Sequence, residues 1–287
     1  MQSPRHRRLL GSLAGLAAGA LALAGLTTTL PAHAAVTAAD RAPAPSAKAQ
    51  QQGVTRGGGG FMGWEVSGPA AASPNLVAQP AASVSGIDVS RYQGNVDWAS
   101  YWSEGKRFAY IKATEGTYNT NAYFTQQYNG SYNQGFIRGA YHFANPSDSG
   151  GKAQADFFVA HGGGWSGDGK TLPGVLDIEY NPYDGGTCYG LSKASMVSWI
   201  TAFVNEYKTK TGRDAVIYTT TDWWTTCTGN STKFHTTNPL WVARYASAPG
   251  TLPGSWPYYT FWQYTSSPLD QDYFNGTLDR LKVLATG

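Results

Sequence analysis

Two cysteines, three methionines and five histidines are all that 287 residues provide. So few thiols and imidazoles exclude a disulfide-stapled miniprotein and leave little with which to hold a metal, and none is expected. The chain has no His-x-x-x-His, no Cys-x-x-Cys and no Gly-x-Ser-x-Gly, so zinc-hydrolase, thiol-redox and serine-nucleophile chemistries lack their residues. Glycine runs such as Gly162-Gly163-Gly164 do not join a strand to a helix as a phosphate loop does, and no cofactor is expected. Charge is scarce too, at 14% of residues against 41% hydrophobic and 14% aromatic, which excludes a disordered polyelectrolyte. The formal charge of +3 is matched by Arg5, Arg7 and Arg8, in a stretch of 34 residues without an acid. Residues 86–287 carry 15 Lys and Arg against 16 Asp and Glu, a net of −1, so no nucleic-acid footprint exists and no such partner is expected.

Long apolar runs are also lacking, with one exception at residues 9–26. It follows the basic Arg5, Arg7 and Arg8 and precedes Ala32-His33-Ala34, the small-x-small pattern of a signal-peptidase site. Alanine and glycine make the run weakly hydrophobic, which favours a cleaved export signal at 1–34 over a membrane anchor. Arg7-Arg8 hints at a twin-arginine route. The expected location is therefore extracellular, without stable membrane association. Residues 35–83 are rich in Ala, Pro, Gln, Ser and Gly, with Gly57 to Gly60 in a row. Such a composition buries too little to offset its ordering entropy and predicts a disordered propeptide or linker.

From residue 84 the material changes. Nine Trp, 18 Tyr and 10 Phe fall in residues 86–287. Apolar runs rich in aromatic and β-branched residues predict strands at 86–89, 108–113, 136–143, 174–180, 215–219, 240–245 and 259–264, with a short one near 269–274. Helix-like segments at 97–106, 121–134, 152–161 and 192–211 separate the early strands, Ser192 capping the last and Gly212 ending it. Alternating strands and helices imply parallel pairing, and eight strands predict a closed α/β barrel over 84–287 whose second half lacks proper helices.

Chemistry in such a barrel gathers at the carboxyl ends of the strands, and the acids fall there: Asp88, Glu115, Asp177, Glu179, Asp270 and Asp272. Strand alternation puts Asp177 and Glu179 on one face, about 7 Å apart at their Cα atoms, with Leu176, Ile178 and Tyr180 facing covering helices. Mutual repulsion and desolvation raise one pKa and leave the other acid ionised, as glycoside cleavage requires. Trp241, Trp262, Tyr141, Tyr218, Tyr245 and Tyr264 lie near strand ends, where aromatic faces can pack on sugar rings. Trp223-Trp224 reads as a rim platform or a packed corner, His142 as a hydrogen-bonded core residue. Cys188 and Cys227, an even pair in an exported chain, are expected to form one disulfide.

Gly86-Ile-Asp-Val-Ser90, Ile111-Lys-Ala-Thr-Glu115, Gly139-Ala-Tyr-His-Phe143, Asp177-Ile-Glu179, Leu240-Trp-Val-Ala-Arg-Tyr245 and Trp262-Gln-Tyr264 recur in order, and the series resembles glycoside hydrolase family 25, the Chalaropsis-type lysozymes. The resemblance covers 84–287 and implies a modified barrel of five β/α units and three closing strands with N-acetylmuramidase activity on bacterial peptidoglycan. It implies Glu179 as general acid, Asp177 as stabiliser of the positive centre or of the substrate acetamido group, and Asp88 as a further catalytic carboxylate. Asp270 matches a fourth rim acid, and Asp272 stands where the family usually has Asn. With Glu115, Tyr141, Tyr218, Trp241, Gln263 and Tyr264, Asp270 makes up the expected substrate-binding set, in a monomer. A wall-binding barrel without activity and a chitin-directed glycosidase are the competing readings.

Overall fold

A computed structural model describes residues 44–66 and 80–287. The expected export signal, and residues 35–43 and 67–79 of the segment that follows it, lie outside the described residues.

Nine strands make one sheet: β1 (Ser83–Val89), β2 (Phe108–Glu115), β3 (Asn119–Thr120), β4 (Ile137–Phe143), β5 (Val175–Asp177), β6 (Val216–Thr219), β7 (Leu240–Ala243), β8 (Phe261–Thr265) and β9 (Gln271–Asn275). Pairing runs β1-β2-β4-β5-β6-β7-β8-β9 and returns to β1, so eight strands close into a barrel and β3 is a short hairpin arm on β2. Pairs from β1 to β8 are parallel, and β9 is antiparallel to both neighbours. Five crossovers carry helices: α2 (Trp98–Ser103), α3 (Phe124–Gln134), α4 (Gly151–Phe158), α5 (Lys193–Thr211) and α6 (Thr221–Thr228). No helix lies between β7 and β9, and α7 (Leu278–Thr286) ends the chain. The expected five units and three closing strands are present.

Local chemistry explains the element ends. Asp97 accepts from Ala99 and Ser100 at the start of α2, and Ser192 accepts from Ser195 at the start of α5. Gly212 ends α5 in the left-handed conformation at φ 75°. Thr220 caps α6, and Trp223 and Trp224 on it are fully buried, so of the two expectations the packed corner holds and the rim platform does not. Cys188 and Cys227 are bonded, tying the loop after β5 to α6.

Strand alternation divides the core. Leu176, Ile178, Ile217, Val242 and Trp262 face outward into the apolar layer that also holds Met196, Trp199 and Phe203 of α5. Phe108, Tyr110, Val175, Val216, Trp241, Phe261 and Phe274 face inward and fill the barrel. The ring centroids of Tyr110 and Trp241 are 4.9 Å apart and those of Trp241 and Phe261 5.4 Å apart, so the lower barrel is solid aromatic packing.

Disorder does not extend through 35–83. Residues 44–66 lie against the barrel and include a short helix, α1 (Ala47–Gln51), capped by Ser46. Ala49, Val54, Met62 and Trp64 are buried: Met62 sits among the inward-facing barrel residues, and the other three cluster with Phe143 and Tyr183. The composition argument assumed the segment must supply its own core; the barrel supplies it instead.

Candidate active site

Two residues further along the same strands, the inward positions turn from apolar to polar, most of them acidic. Above Gly86 on β1 stands Asp88, above Val175 on β5 stands Asp177, above Phe261 on β8 stands Gln263, and β9 brings Asp272 beside Gly86 and Gln263. Glu179 follows two residues after β5 ends, so it belongs to the loop at the barrel mouth rather than to a strand as the alternation argument assumed. Asp270 immediately precedes β9.

These carboxylates are held out of water. Asp177, Glu179 and Asp272 have no exposed surface, and Asp88 and Asp270 are 1% and 8% exposed. Burial pushes the Asp88 carboxyl up to about 7, against the smaller opposing effect of a hydrogen bond from Gln263. Burial raises Asp177 well above the carboxylate range despite the Lys112 ammonium, with Asp88 and Glu115 adding repulsion. Glu179 is raised first by burial and then by the Asp177 charge. Burial and neighbouring acids raise Asp270 and Asp272 likewise. Burial and mutual repulsion thus disfavour simultaneous ionisation of these adjacent carboxylates.

Gln263 orients the set. Its Oε1 accepts from the Tyr218 hydroxyl at 2.7 Å and the Tyr245 hydroxyl at 3.1 Å. With the oxygen so committed, the amide nitrogen turns to Asp88 and donates to Oδ2 at 2.8 Å. Both Asp177 oxygens and Glu179 Oε2 have no hydrogen-bond partner among the described residues, nor does the Tyr141 hydroxyl. The charges of Asp88, Asp177 and Asp270 help to raise the Tyr141 hydroxyl's pKa, after burial itself, which puts the phenol among the acids.

The expected substrate set divides. Tyr141, Tyr218, Gln263 and Asp270 gather at the mouth with Asp88, Asp177 and Glu179, the acids expected to be catalytic. Glu115 is at the mouth but buried, paired to Lys112 at 2.5 Å and accepting from the Tyr118 and Tyr183 hydroxyls. Trp241 lies one layer deeper, in the aromatic floor. Tyr264 does not face the mouth at all: Gln263 points inward, so its neighbours point out, and Tyr264 stacks on Tyr273 with centroids 4.4 Å apart. Trp262 shares that outward face and donates to Arg244 O. Sequence reasoning left Lys112, Tyr118 and Tyr183 out, and only Lys112, next to Glu115 in the motif, carried a signal. His142 is a core residue as expected: its ring bonds Thr114 at 2.7 Å and Gln154 at 2.8 Å, and burial lowers it to about 3. Among the described residues no cluster is placed to hold a metal ion.

Beside the acids, Tyr245, Asp270, Ser90 and Leu269 line a cleft of about 480 Å³, and Tyr180, Thr220, Asp222 and Arg244 line a second of about 260 Å³. Both clefts abut Val66 of the docked segment.

Residues 87–273 match the model of the glycosyl hydrolases family 25. Over 215 residues the chain is 54% identical to an N,O-diacetylmuramidase of Chalaropsis sp, covering 71% of this chain and all of that one. It is similar to a solved muramidase from Acremonium alcalophilum at 56% identity and a TM-score of 0.70, covering 71% of this chain and 99% of that one. A bacterial lysozyme from Streptomyces coelicolor matches at 50% identity and a TM-score of 0.70, over 72% of this chain and 99% of that one.

Proposed function

Because the chain belongs to glycosyl hydrolase family 25 and is a glycoside hydrolase of the lysozyme kind, we propose that the barrel mouth cleaves the β-1,4 bond from N-acetylmuramic acid to N-acetylglucosamine in bacterial peptidoglycan. One observation carries the residue roles: Asp177 and Glu179, two residues apart, are both fully buried and driven towards the protonated form, and the Asp177 charge adds to that at Glu179. Glu179 delivers its proton to the leaving glycosidic oxygen. Asp177, ionised once Glu179 carries the shared proton, faces the positive charge that develops at the sugar. Its nearest cation, Lys112, favours that assignment. Asp88, aimed by Gln263, and Asp270 hold the sugar and add negative potential. A binding module without activity has no use for acids that repel one another, which argues against that reading.

The substrate lies outside the bacterial membrane, so the chain works as an exported enzyme, and the Cys188–Cys227 bond suits an oxidising compartment. Ser83 already pairs with Asn275 in the barrel ladder, so a mature chain that keeps the barrel intact begins at or before Ser83. Digestion of purified peptidoglycan, with mass analysis of the products, tests the function. Fragments bearing new N-acetylmuramic acid reducing ends are expected. Cleavage of chitin oligomers with walls left intact would overturn the substrate.

A further inference from the structure

A hydrolase of polymers must admit a polymer, yet Asp177 and Glu179 have no exposed surface. Residues 44–66 close the way. The Gly63 amide donates to Glu179 Oε1 at 2.7 Å, on the carboxyl that is to protonate the leaving oxygen. Met62 beside it is fully buried among the inward-facing barrel residues. The Gly59 amide donates to Glu115 Oε2 at 2.9 Å, and Lys112 donates to Gly60 O. Trp64 donates to Tyr180 O at 2.6 Å, on the loop that carries Glu179. The ends are secured as well: Ser46 N donates to Pro182 O at 2.8 Å, and Phe61 packs edge-on against Tyr92 at 5.2 Å.

The glycines that read as low complexity are what let the backbone come this close. Gly63 has φ +76°, and a Cβ there would collide with the Tyr245 hydroxyl. Gly59 has φ +138°, and its Cβ would come within 2.7 Å of the Arg91 guanidinium. The two clefts that flank the acids are the parts of one groove left on either side of the segment, since Val66 borders both.

We infer that residues 44–66 are an intramolecular inhibitor, lying across the catalytic acids in the groove that the glycan strand must enter. The inference rests on the hydrolytic reading of the mouth. The barrel does not need the segment to fold: solved muramidases of the same fold are 99% covered by only 71% of this chain. Release follows when an endopeptidase hydrolyses one bond between residues 66 and 83. Water adds across that amide, leaving a carboxylate on the segment and a new amino group on the barrel. The segment then loses the millimolar effective concentration that its covalent link provides.

The test inserts a site-specific protease sequence within 70–75 of the full chain and follows lysis of a bacterial wall suspension before and after the cut. Lysis should rise on the order of 10²-fold once the segment is cut and washed away. Synthetic peptide 44–66 added back should suppress it, and its Trp64 fluorescence should report binding. Uncut Gly63→Val, which cannot seat the segment, should be active without cleavage, an outcome that misfolding does not mimic. Equal lysis by cut and uncut chains, with the peptide inert, overturns the inhibition. A segment-free barrel that binds the peptide but lyses nothing overturns the hydrolytic reading, and the inhibitory role falls with it.

Discussion

The two halves of the barrel interior are built by the same strands and differ in everything else. Lower down, β2, β7, β8 and β9 contribute Phe108, Trp241, Phe261 and Phe274, which interlock and hold the barrel shut. One inward step higher, β1, β5 and β8 contribute Asp88, Asp177 and Gln263, and Glu179 follows β5. The floor is stable because it buries what water rejects. The mouth buries what water would hold, and its strained protonation is what suits it to acid catalysis. Stability and chemistry are thus separated by about 7 Å of strand.

Substitutions on either side of that division should break different things. Beside the general acid itself, the largest effect on activity is expected at Asp177. Asp177→Asn, in the processed barrel, should lower wall lysis by on the order of 10²-fold or more, because the positive centre then faces a neutral amide. It also removes the charge that helps to raise Glu179, so the alkaline limb of residual activity should move to lower pH. The stability sign is opposite. Asp177 has a folded pKa above its unfolded value, so the folded state's advantage is complete below about pH 4 and fades as pH rises through the folded pKa. In the full chain, where residues 44–66 keep the site buried, Asp177→Asn should therefore melt higher than the parent near neutral pH, with the gap closing below about pH 4. A lower Tm at neutral pH would contradict the desolvation account.

Gln263→Leu sharpens the comparison within one strand. Loss of the donor to Asp88 should reduce kcat by roughly 10- to 100-fold, the scale of one hydrogen bond to a charged group. Two residues away, Phe261→Ala should leave the specific activity of folded protein nearly unchanged. It should instead remove about 3–5 kcal/mol of stability in denaturant titration, by opening a cavity among Phe108, Tyr110, Trp241 and Phe274. A large activity loss in folded Phe261→Ala would show that floor and mouth are not separable.

The floor was the more legible half. Runs such as Phe108 to Ala113 and Leu240 to Tyr245 are strand-like whatever surrounds them, and all eight barrel strands were expected where they occur. Helix α6, read as Thr-Asp-Trp-Trp-Thr-Thr-Cys-Thr, has poor helix formers and is held by its cap, its buried tryptophans and the disulfide. At the mouth, residue types are readable but facing needs the strand register: Gln263 and Tyr264 are adjacent on a strand, so only one of them could serve the site. Residues 44–66 were misread for a different reason. Their burial is supplied by the barrel, and no property of the segment alone reports a partner surface.

The most direct measurement takes the processed barrel with Glu179→Gln and records wall lysis, binding to insoluble peptidoglycan and Tm together. A gain of activity is impossible if Glu179 gives the proton. Lysis should fall by about 10²–10⁴-fold, the usual worth of a general acid, while wall binding persists and Tm does not fall. Lysis by Glu179→Gln at near the parent rate would contradict the account, and the proton would have to come from elsewhere in the mouth.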